Sequence, residues 1–153
     1  MTDTTQTIDV DVPVTVAYNQ WTQFESFPKF MDGVDEVTQK TDTLTHWKIS
    51  IAGVKREFDA EITEQTPDQR IAWNSVGGAG HAGVVTFHRL DEGKTRIMLQ
   101  LETEPEGLLE HVADKLGFLK RQASGDLERF KKFIESRGGE TGAWRGEVNQ
   151  AAS

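Results

Sequence analysis

Cysteine is absent from this 153-residue chain. Its absence excludes disulfide bonds, thiolate metal sites and cysteine nucleophiles, and it fits a reducing compartment. No segment is apolar for long enough to span a bilayer, and residues Met1 to Gln6 lack the basic start and the apolar run of a secretory signal. We therefore expect a cytoplasmic protein without an integral membrane segment.

Basic residues are few compared with acidic ones. The 17 Lys and Arg residues are outnumbered by 25 Asp and Glu residues, and the formal net charge is -8. Such a balance disfavours the approach of a phosphate backbone. The basic residues near the C-terminus alternate with Asp126, Glu128 and Glu135, a pattern typical of a solvated helix face. The sequence therefore predicts no nucleic-acid partner.

The four histidines are poorly spaced for a shared metal ion. His81 and His88 are seven residues apart, so that on one continuous strand they face opposite sides. His46 is out of phase with the apolar residues of its own strand, and His111 lies one residue away from an apolar helical stripe. We therefore expect neither a metal site nor another cofactor.

The first thirty residues predict a strand and two short helices. Ile8, Val10 and Val12 alternate with polar residues, which indicates a strand with one dry face. Apolar residues then recur with helical spacing from Val14 to Trp21. The following segment, Thr22-Gln-Phe-Glu-Ser-Phe-Pro-Lys-Phe-Met31, is rich in rings but contains a proline, which interrupts any single helix. A second short helix is expected there.

Six further strands are expected between the first short helices and a long C-terminal helix. Short turn signals such as Asp32-Gly33, Ala52-Gly53 and Glu92-Gly93 separate them, and connections this short favour an antiparallel meander. Within the strands, apolar residues share one face while charged residues occupy the other. A sheet with one dry face needs a cover.

A long helix over Leu108 to Ser136 is predicted to be that cover, because apolar residues recur there every three or four positions. Gly117 and Gly125 lie inside it, and each costs roughly 1 kcal/mol relative to alanine. Two explanations for these glycines stay open. They leave space for a close sheet or a bound molecule, or a well-packed helix simply tolerates them.

The ends of the chain are predicted to lie outside the folded unit. Residues 1-6 are expected to be a disordered N-terminus, 7-137 one domain, and 138-153 a polar C-terminal tail. Trp144 is the exception in this tail, because a large ring left in solvent exposes considerable apolar area. We expect it to dock on the body of the protein or on a partner.

The order of elements and several short motifs resemble one superfamily. Strand, two short helices, six strands and a long helix make the succession of the START-like (SRPBCC) superfamily. The motifs resemble its branch of polyketide cyclases/dehydrases and coenzyme Q-binding proteins, in particular a bacterial cyclase/dehydrase-like subgroup. They are Phe27-Pro-Lys-Phe-Met-Asp-Gly-Val34, Arg70-Ile-Ala-Trp73, Gly83-Val-Val-Thr-Phe87, Thr95-Arg-Ile97 and the ending from Arg129-Phe-Lys-Lys-Phe-Ile-Glu-Ser-Arg137 to Gly142-Ala-Trp-Arg-Gly146. The resemblance implies an α+β helix-grip (Bet v 1-like) fold, with a curved seven-stranded antiparallel sheet wrapped on the last helix.

The resemblance also implies an apolar ligand between the sheet and the last helix. If the sheet curves, the wall of such a cavity includes Trp47, Phe58, Trp73, Phe87, Leu116 and Leu119, with Phe27, Phe30 and Met31 as a lid. The alternative is that these side chains simply fill a core. Arg56 shares phase with Phe58, so we expect it at the cavity or its rim, beside a protein carboxylate or a ligand oxygen.

Three functions follow as hypotheses from this resemblance. The first is binding or carriage of an apolar small molecule that is aromatic, polyketide or isoprenoid-like. The second is a polyketide aromatase/cyclase, in which Arg56, with Ser75 or His81, polarises carbonyls and moves protons. The third is a protein-interaction module.

Overall fold

Eight strands and two α-helices are present in the computed structural model, which describes residues 2-77, 80-104, 109, 111-137 and 139-149. The helices are α1 (Val14–Trp21) and α2 (Lys115–Arg137), and a 3₁₀-helix spans Phe24–Lys29. The strands are β1 (Thr2–Val10), β2 (Val34–Gln39), β3 (Leu44–Ile51), β4 (Val54–Thr66), β5 (Arg70–Val76), β6 (His81–Asp91), β7 (Lys94–Thr103) and β8 (Val148–Asn149).

The strands form one antiparallel sheet that curls around α2. Their order is β1-β7-β6-β5-β4-β3-β2, and β8 pairs separately with β4. The predicted α+β helix-grip fold is therefore confirmed. Consecutive strands from β2 to β7 are neighbours because their connections are too short for parallel crossovers.

Alternation of side chains places the core on the inner face of the sheet. Strand β7 shows it most clearly, because its inner residues are buried and, apart from the half-buried Met98, its outer residues are exposed. The inner set is Thr95, Ile97, Leu99, Leu101 and Thr103, and the exposed outer set is Lys94, Arg96, Gln100 and Glu102.

Helix α2 covers this inner face but begins at Lys115, later than the predicted Leu108, which lies outside the described residues. The side chain of Asp114 explains the start, because its Oδ1 accepts a hydrogen bond from the N–H of Gly117 at 2.9 Å. A Cβ on Gly117 would collide with this carboxylate, and one on Gly125 would meet the guanidinium of Arg129. Neither glycine therefore makes space for the sheet.

The predicted disordered N-terminus is wrong for residues 2-6. These residues belong to β1, which pairs with β7 in continuous register from Thr2 opposite Thr103 to Val10 opposite Thr95. The main-chain hydrogen bonds of this ladder extend the strand where the side chains alone gave little signal.

The tail expected at 138-153 is ordered over residues 139-149 and lies on the body of the protein. The fully buried amide of Gln20 in α1 accepts a hydrogen bond from the N–H of Thr141 at 2.8 Å and donates one to its hydroxyl at 3.1 Å. The N–H of Trp144 donates to the hydroxyl of Thr22, and its half-buried ring packs against the core. Arg145 pairs with Asp68 at 2.9 Å.

The two ends of the sheet can be named by what lies there. The open end carries the β3–β4 and β5–β6 connections, the last residue of β7 and the start of α2. The closed end carries the β4–β5 and β6–β7 connections and the last turns of α2. Between α2 and the closed half of the sheet, aromatic rings are in mutual contact, with centroids 4.8 to 6.3 Å apart: Trp21, Phe27, Phe30, Phe87 and Phe130.

Candidate functional site

A cavity opens between the sheet and α2 at the open end. It has a volume of about 110 Å³, and the space between the same walls, including its mouth, is about 810 Å³. An apolar cavity of about 150 Å³ binds benzene, so the interior is the size of one ring. The walls consist of Phe27, Met31, Asp32, Gly33, Val34, Trp47, Ile49, Ser50, Ile51, Phe58, Trp73, His81, Leu99, Leu101, Thr103, Leu109, Phe118, Leu119, Gln122 and Asp126.

Six of the nine residues predicted to bind a ligand line this cavity. Trp47 and Phe58 form one wall, where their rings stack with centroids 6.0 Å apart and planes inclined by 8°. Phe27 contacts Trp47 from the 3₁₀-helix. The six are Phe27, Met31, Trp47, Phe58, Trp73 and Leu119.

The other three predicted residues lie elsewhere. Phe30 and Phe87 are buried in the aromatic cluster beside Trp21, where they fill the core. Leu116 is 44% exposed, because the first turn of α2 turns the neighbouring Phe118 and Leu119 toward the cavity instead.

Two of the three predicted catalytic residues are also outside the cavity wall. Arg56 is half-buried on β4, opposite Ile49 of β3. Ser75 is half-buried near the end of β5, where its hydroxyl accepts a hydrogen bond from the main-chain N–H of His81 at 2.9 Å. This bond positions the start of β6 and uses Ser75 in the turn.

His81 is the third predicted catalytic residue, and it faces the cavity. Its ring lies edge-on to Phe58, with centroids 6.0 Å apart. Burial in these surroundings lowers the pKa of His81 to about 4, because the charged imidazolium is not solvated there. Near neutral pH the ring is therefore uncharged, with one nitrogen able to donate and the other able to accept a hydrogen bond.

Trp73 of β5 lines the cavity and lies over the neighbouring strand β6. It pairs with Gly83 of β6, and its indole lies so close over this glycine that a Cβ there would overlap the six-membered ring. The missing side chain of Gly83 allows the indole to approach the backbone of β6 this closely.

A polar cluster on α2 borders the mouth of the cavity. Asp126 is only 6% exposed, and its carboxylate accepts hydrogen bonds from Gln122 at 3.0 Å and from Arg129 at 2.6 Å. Burial raises the pKa of Asp126 to about 6, against the opposing effect of these two donors. Gln122 also donates to the main-chain carbonyl of Asp32, and Arg129 donates to that of Phe30. The segment after the 3₁₀-helix is thereby held to α2.

Asp126 was expected on a solvated helix face, and that expectation is wrong. It follows Leu119 by seven residues, so both lie on the side of α2 that faces the sheet. The helical period contained this signal, but the charge of the residue argued against it. Leu99, Leu101 and Thr103 line the cavity because the inner face of β7 extends to it.

The remaining histidines lie apart from the cavity. His46 contacts Asp59 at 2.7 Å and Glu57 at 3.0 Å, which raises the pKa of His46. His88 is exposed, and Nε2 of His111 lies 2.9 Å from the carbonyl oxygen of Ile51. Within the described residues, no three metal-binding side chains form a cluster, and no helix is long and apolar enough to cross a membrane.

Comparison with known proteins agrees with this architecture. The chain is 64% identical over 149 residues to an uncharacterized 17.2 kDa protein in the melC2-rnhH intergenic region of Streptomyces lincolnensis, covering 97% of this chain and 99% of that one. The crystal structure of the Zhui aromatase/cyclase from Streptomyces sp. R1128 aligns with a TM-score of 0.73 at 13% identity, over 93% of this chain and 98% of the other.

A START superfamily protein from Mycobacterium smegmatis aligns equally well. Its TM-score is 0.73 at 12% identity, over 88% of this chain and 98% of the other. These two structural similarities concern the fold. The sequence gives the family directly, because residues 10-132 match the family described as polyketide cyclase/dehydrase and lipid transport. The chain therefore belongs to the polyketide cyclase/dehydrase and lipid transport family.

Proposed function

We propose that this protein binds and carries an apolar small molecule, aromatic, polyketide or isoprenoid-like, in the cavity between the sheet and α2. The observation that carries this proposal is the cavity itself, which is largely apolar and open at one end. Sites for small molecules are typically concave, apolar and furnished with a few polar groups. An interior of about 110 Å³ accommodates one ring, and the remainder of a larger ligand would occupy the mouth.

The direct test uses N-phenyl-1-naphthylamine, an uncharged probe whose fluorescence rises in apolar surroundings. We expect saturable binding by the protein after delipidation. Leu101→Trp fills the cavity from β7 and should weaken binding by roughly tenfold, since overpacking costs about 1–3 kcal/mol. Leu90→Trp is the matched control, because Leu90 is exposed at the closed end, and it should bind normally. Equal binding by both variants, each with a native circular dichroism spectrum, contradicts the proposal.

Native mass spectrometry of protein purified gently from its host supplies an independent test. A retained lipophilic molecule supports carriage and identifies the ligand. Repeated recovery of the empty protein counts against carriage, although it leaves binding of the probe to be decided by fluorescence.

A second function, an aromatase/cyclase-type reaction, is favoured by one observation. The cavity wall holds two titratable groups, His81 and Asp126, whose pKa values are shifted to about 4 and about 6. Groups of this kind in an apolar cleft are candidates for proton transfer. The Zhui protein with the similar fold is an aromatase/cyclase.

This second function is tested with a linear poly-β-keto thioester, whose cyclised products are separated by liquid chromatography and identified by mass. His81→Ala should abolish turnover with folding intact. Arg56→Ala tests the role first expected for that residue, which lies outside the cavity wall. Turnover that survives His81→Ala would remove His81 from the mechanism.

A further inference from the structure

At the open end of the sheet, the wall of the cavity carries two neutral polar side chains directly opposite each other. His81 is the first residue of β6, Thr103 is the last residue of β7, and the two are cross-strand partners in the register. Both line the cavity. Side chains of directly opposite residues project from the same face of a sheet, with Cβ atoms roughly 5 Å apart. A ligand atom can therefore contact both.

The hydroxyl of Thr103 lacks a hydrogen-bond partner among the residues that the structure describes. The residue is only 2% exposed. A buried polar group is normally paired, so the unpaired hydroxyl of a residue that lines a cavity is available to an oxygen atom of a ligand. Thr95, at the other end of the same strand, shows the usual arrangement, because its hydroxyl donates to the carbonyl of Val12 at 2.9 Å.

The imidazole of His81, which is half-buried, lies on the neighbouring strand directly across from this residue. Its ring contacts Phe58, with centroids 6.0 Å apart. Because the ring is neutral near pH 7, it offers one donor and one acceptor beside the donor and acceptor of Thr103. Such a pair suits a hydroxyl or a carbonyl oxygen.

The charges around the cavity disfavour an anion. Asp32 and Asp126 are among the described lining residues, whereas no lysine or arginine is. A carboxylate or phosphate brought into this cavity would lose its hydration without gaining a cation.

We infer that Thr103 and His81 form a subsite for a neutral hydroxyl or carbonyl oxygen, and that the ligand is an uncharged, ring-containing molecule bearing one such group. The inference rests on the proposed ligand-binding function and narrows its substrate class. A phenol or enol can accept a hydrogen bond from the Thr103 hydroxyl while donating to the unprotonated nitrogen of His81. A ketone can accept from both.

Equilibrium dialysis at pH 7 with naphthalene, 2-naphthol and 2-naphthoate tests this inference. The three probes share one ring system and differ in the polar group. We expect 2-naphthol to bind roughly tenfold more tightly than naphthalene, as one or two net hydrogen bonds supply. Binding of 2-naphthoate should be weaker than that of naphthalene.

Three variants on β7 locate the effect. Thr103→Val should reduce the preference for 2-naphthol over naphthalene to near unity, and Thr103→Ser, which keeps the hydroxyl, should restore it. Thr95→Val makes the same substitution at a threonine outside the cavity and should leave the preference unchanged. His81→Phe should lower the preference in the same direction as Thr103→Val.

Each result decides between the two proposals. Equal affinity for naphthalene and 2-naphthol, tighter binding of 2-naphthoate, or an unchanged preference in Thr103→Val overturns the subsite while leaving apolar binding intact. Failure of all three probes to bind overturns the proposed function, and the subsite with it.

Discussion

The two ends of the sheet use the same kinds of residue for different purposes. At the closed end, Thr95 donates its hydroxyl to the carbonyl of Val12, and the ring of Trp21 lies 4.8 Å from that of Phe130 on α2. At the open end, Thr103 keeps its hydroxyl unpaired within the described residues, and the rings of Trp47 and Phe58 border empty volume. One strand, β7, runs through both regions.

This difference separates the parts that stabilise the fold from the parts available to a ligand. The closed end is reinforced by the C-terminal segment, which attaches to Gln20, Thr22 and Asp68. At the open end, Gln122 and Arg129 hold the segment after the 3₁₀-helix to α2. The same type of substitution should therefore change the free energy of unfolding by different amounts at the two ends.

The largest expected effect comes from a comparison of two leucines of α2. Leu127 is 1% exposed in the closed core, and Leu127→Ala should lower the free energy of unfolding by about 4 kcal/mol. Leu119 borders the cavity, so Leu119→Ala loses fewer contacts and should cost about 2 kcal/mol. Urea denaturation followed by circular dichroism measures both. Equal costs would mean that the cavity is closed in solution.

A second comparison concerns two acidic residues of α2 and their dependence on pH. The pKa of Asp126 is raised to about 6 by burial, so the folded state binds more protons than the unfolded state between about pH 4 and 6. Stability from this group is therefore lost as pH rises through that window, by up to roughly 3 kcal/mol. Asp126→Asn should remove this loss, and its free energy of unfolding relative to wild type should improve from pH 4 to pH 7.

Glu135, at the closed end, is the control for this experiment. Burial opposes ionisation there, but the hydrogen bonds from Lys131 and from the N–H of Asp11 outweigh it and hold the pKa of Glu135 below its usual value. Its stabilising effect is lost as pH falls below about 4.5, the ordinary value. The free energy of unfolding of Glu135→Gln relative to wild type should therefore change little between pH 4 and 7. A slope like that of Asp126→Asn would contradict the assignment.

The smallest expected effects concern the two threonines of β7. Thr95→Val leaves the carbonyl of Val12 without its donor and should cost about 1–3 kcal/mol. Thr103→Val removes a hydroxyl that has no partner among the described residues, so it should be neutral or slightly stabilising in the absence of ligand. Thermal unfolding of the ligand-free variants distinguishes the two. A large cost at Thr103 would indicate a hydrogen bond that the unliganded fold depends on.

Much of the fold could be predicted from the sequence because its signals are local. Alternating residues in β7, short turns between strands and the apolar stripe from Leu119 to Ile134 each depend on a few neighbouring positions. The boundaries that were wrong depend on contacts distant in sequence or on caps. β1 extends to Thr2 because β7 is beside it, and α2 begins after Asp114 because that side chain caps it.

The candidate site was less predictable, for a physical reason. Phe30 and Phe58 are equally apolar, yet one fills the core and the other borders a cavity. That distinction depends on how far α2 lies from the sheet at each turn, which no local pattern encodes. Asp126 and Thr103 were missed because polar residues on an inner face are exceptions to the pattern that finds the others.

The contact between Trp73 and Gly83 has a consequence for how cavity size can change. Because the indole rests on the bare backbone of β6, a methyl group added at residue 83 would push the ring forward into the hollow. The size of the cavity is thus adjustable from Gly83 on the neighbouring strand, although Gly83 is not one of the residues that line it. Chains with a larger residue at this place would need a different ring orientation to hold a molecule of the same size.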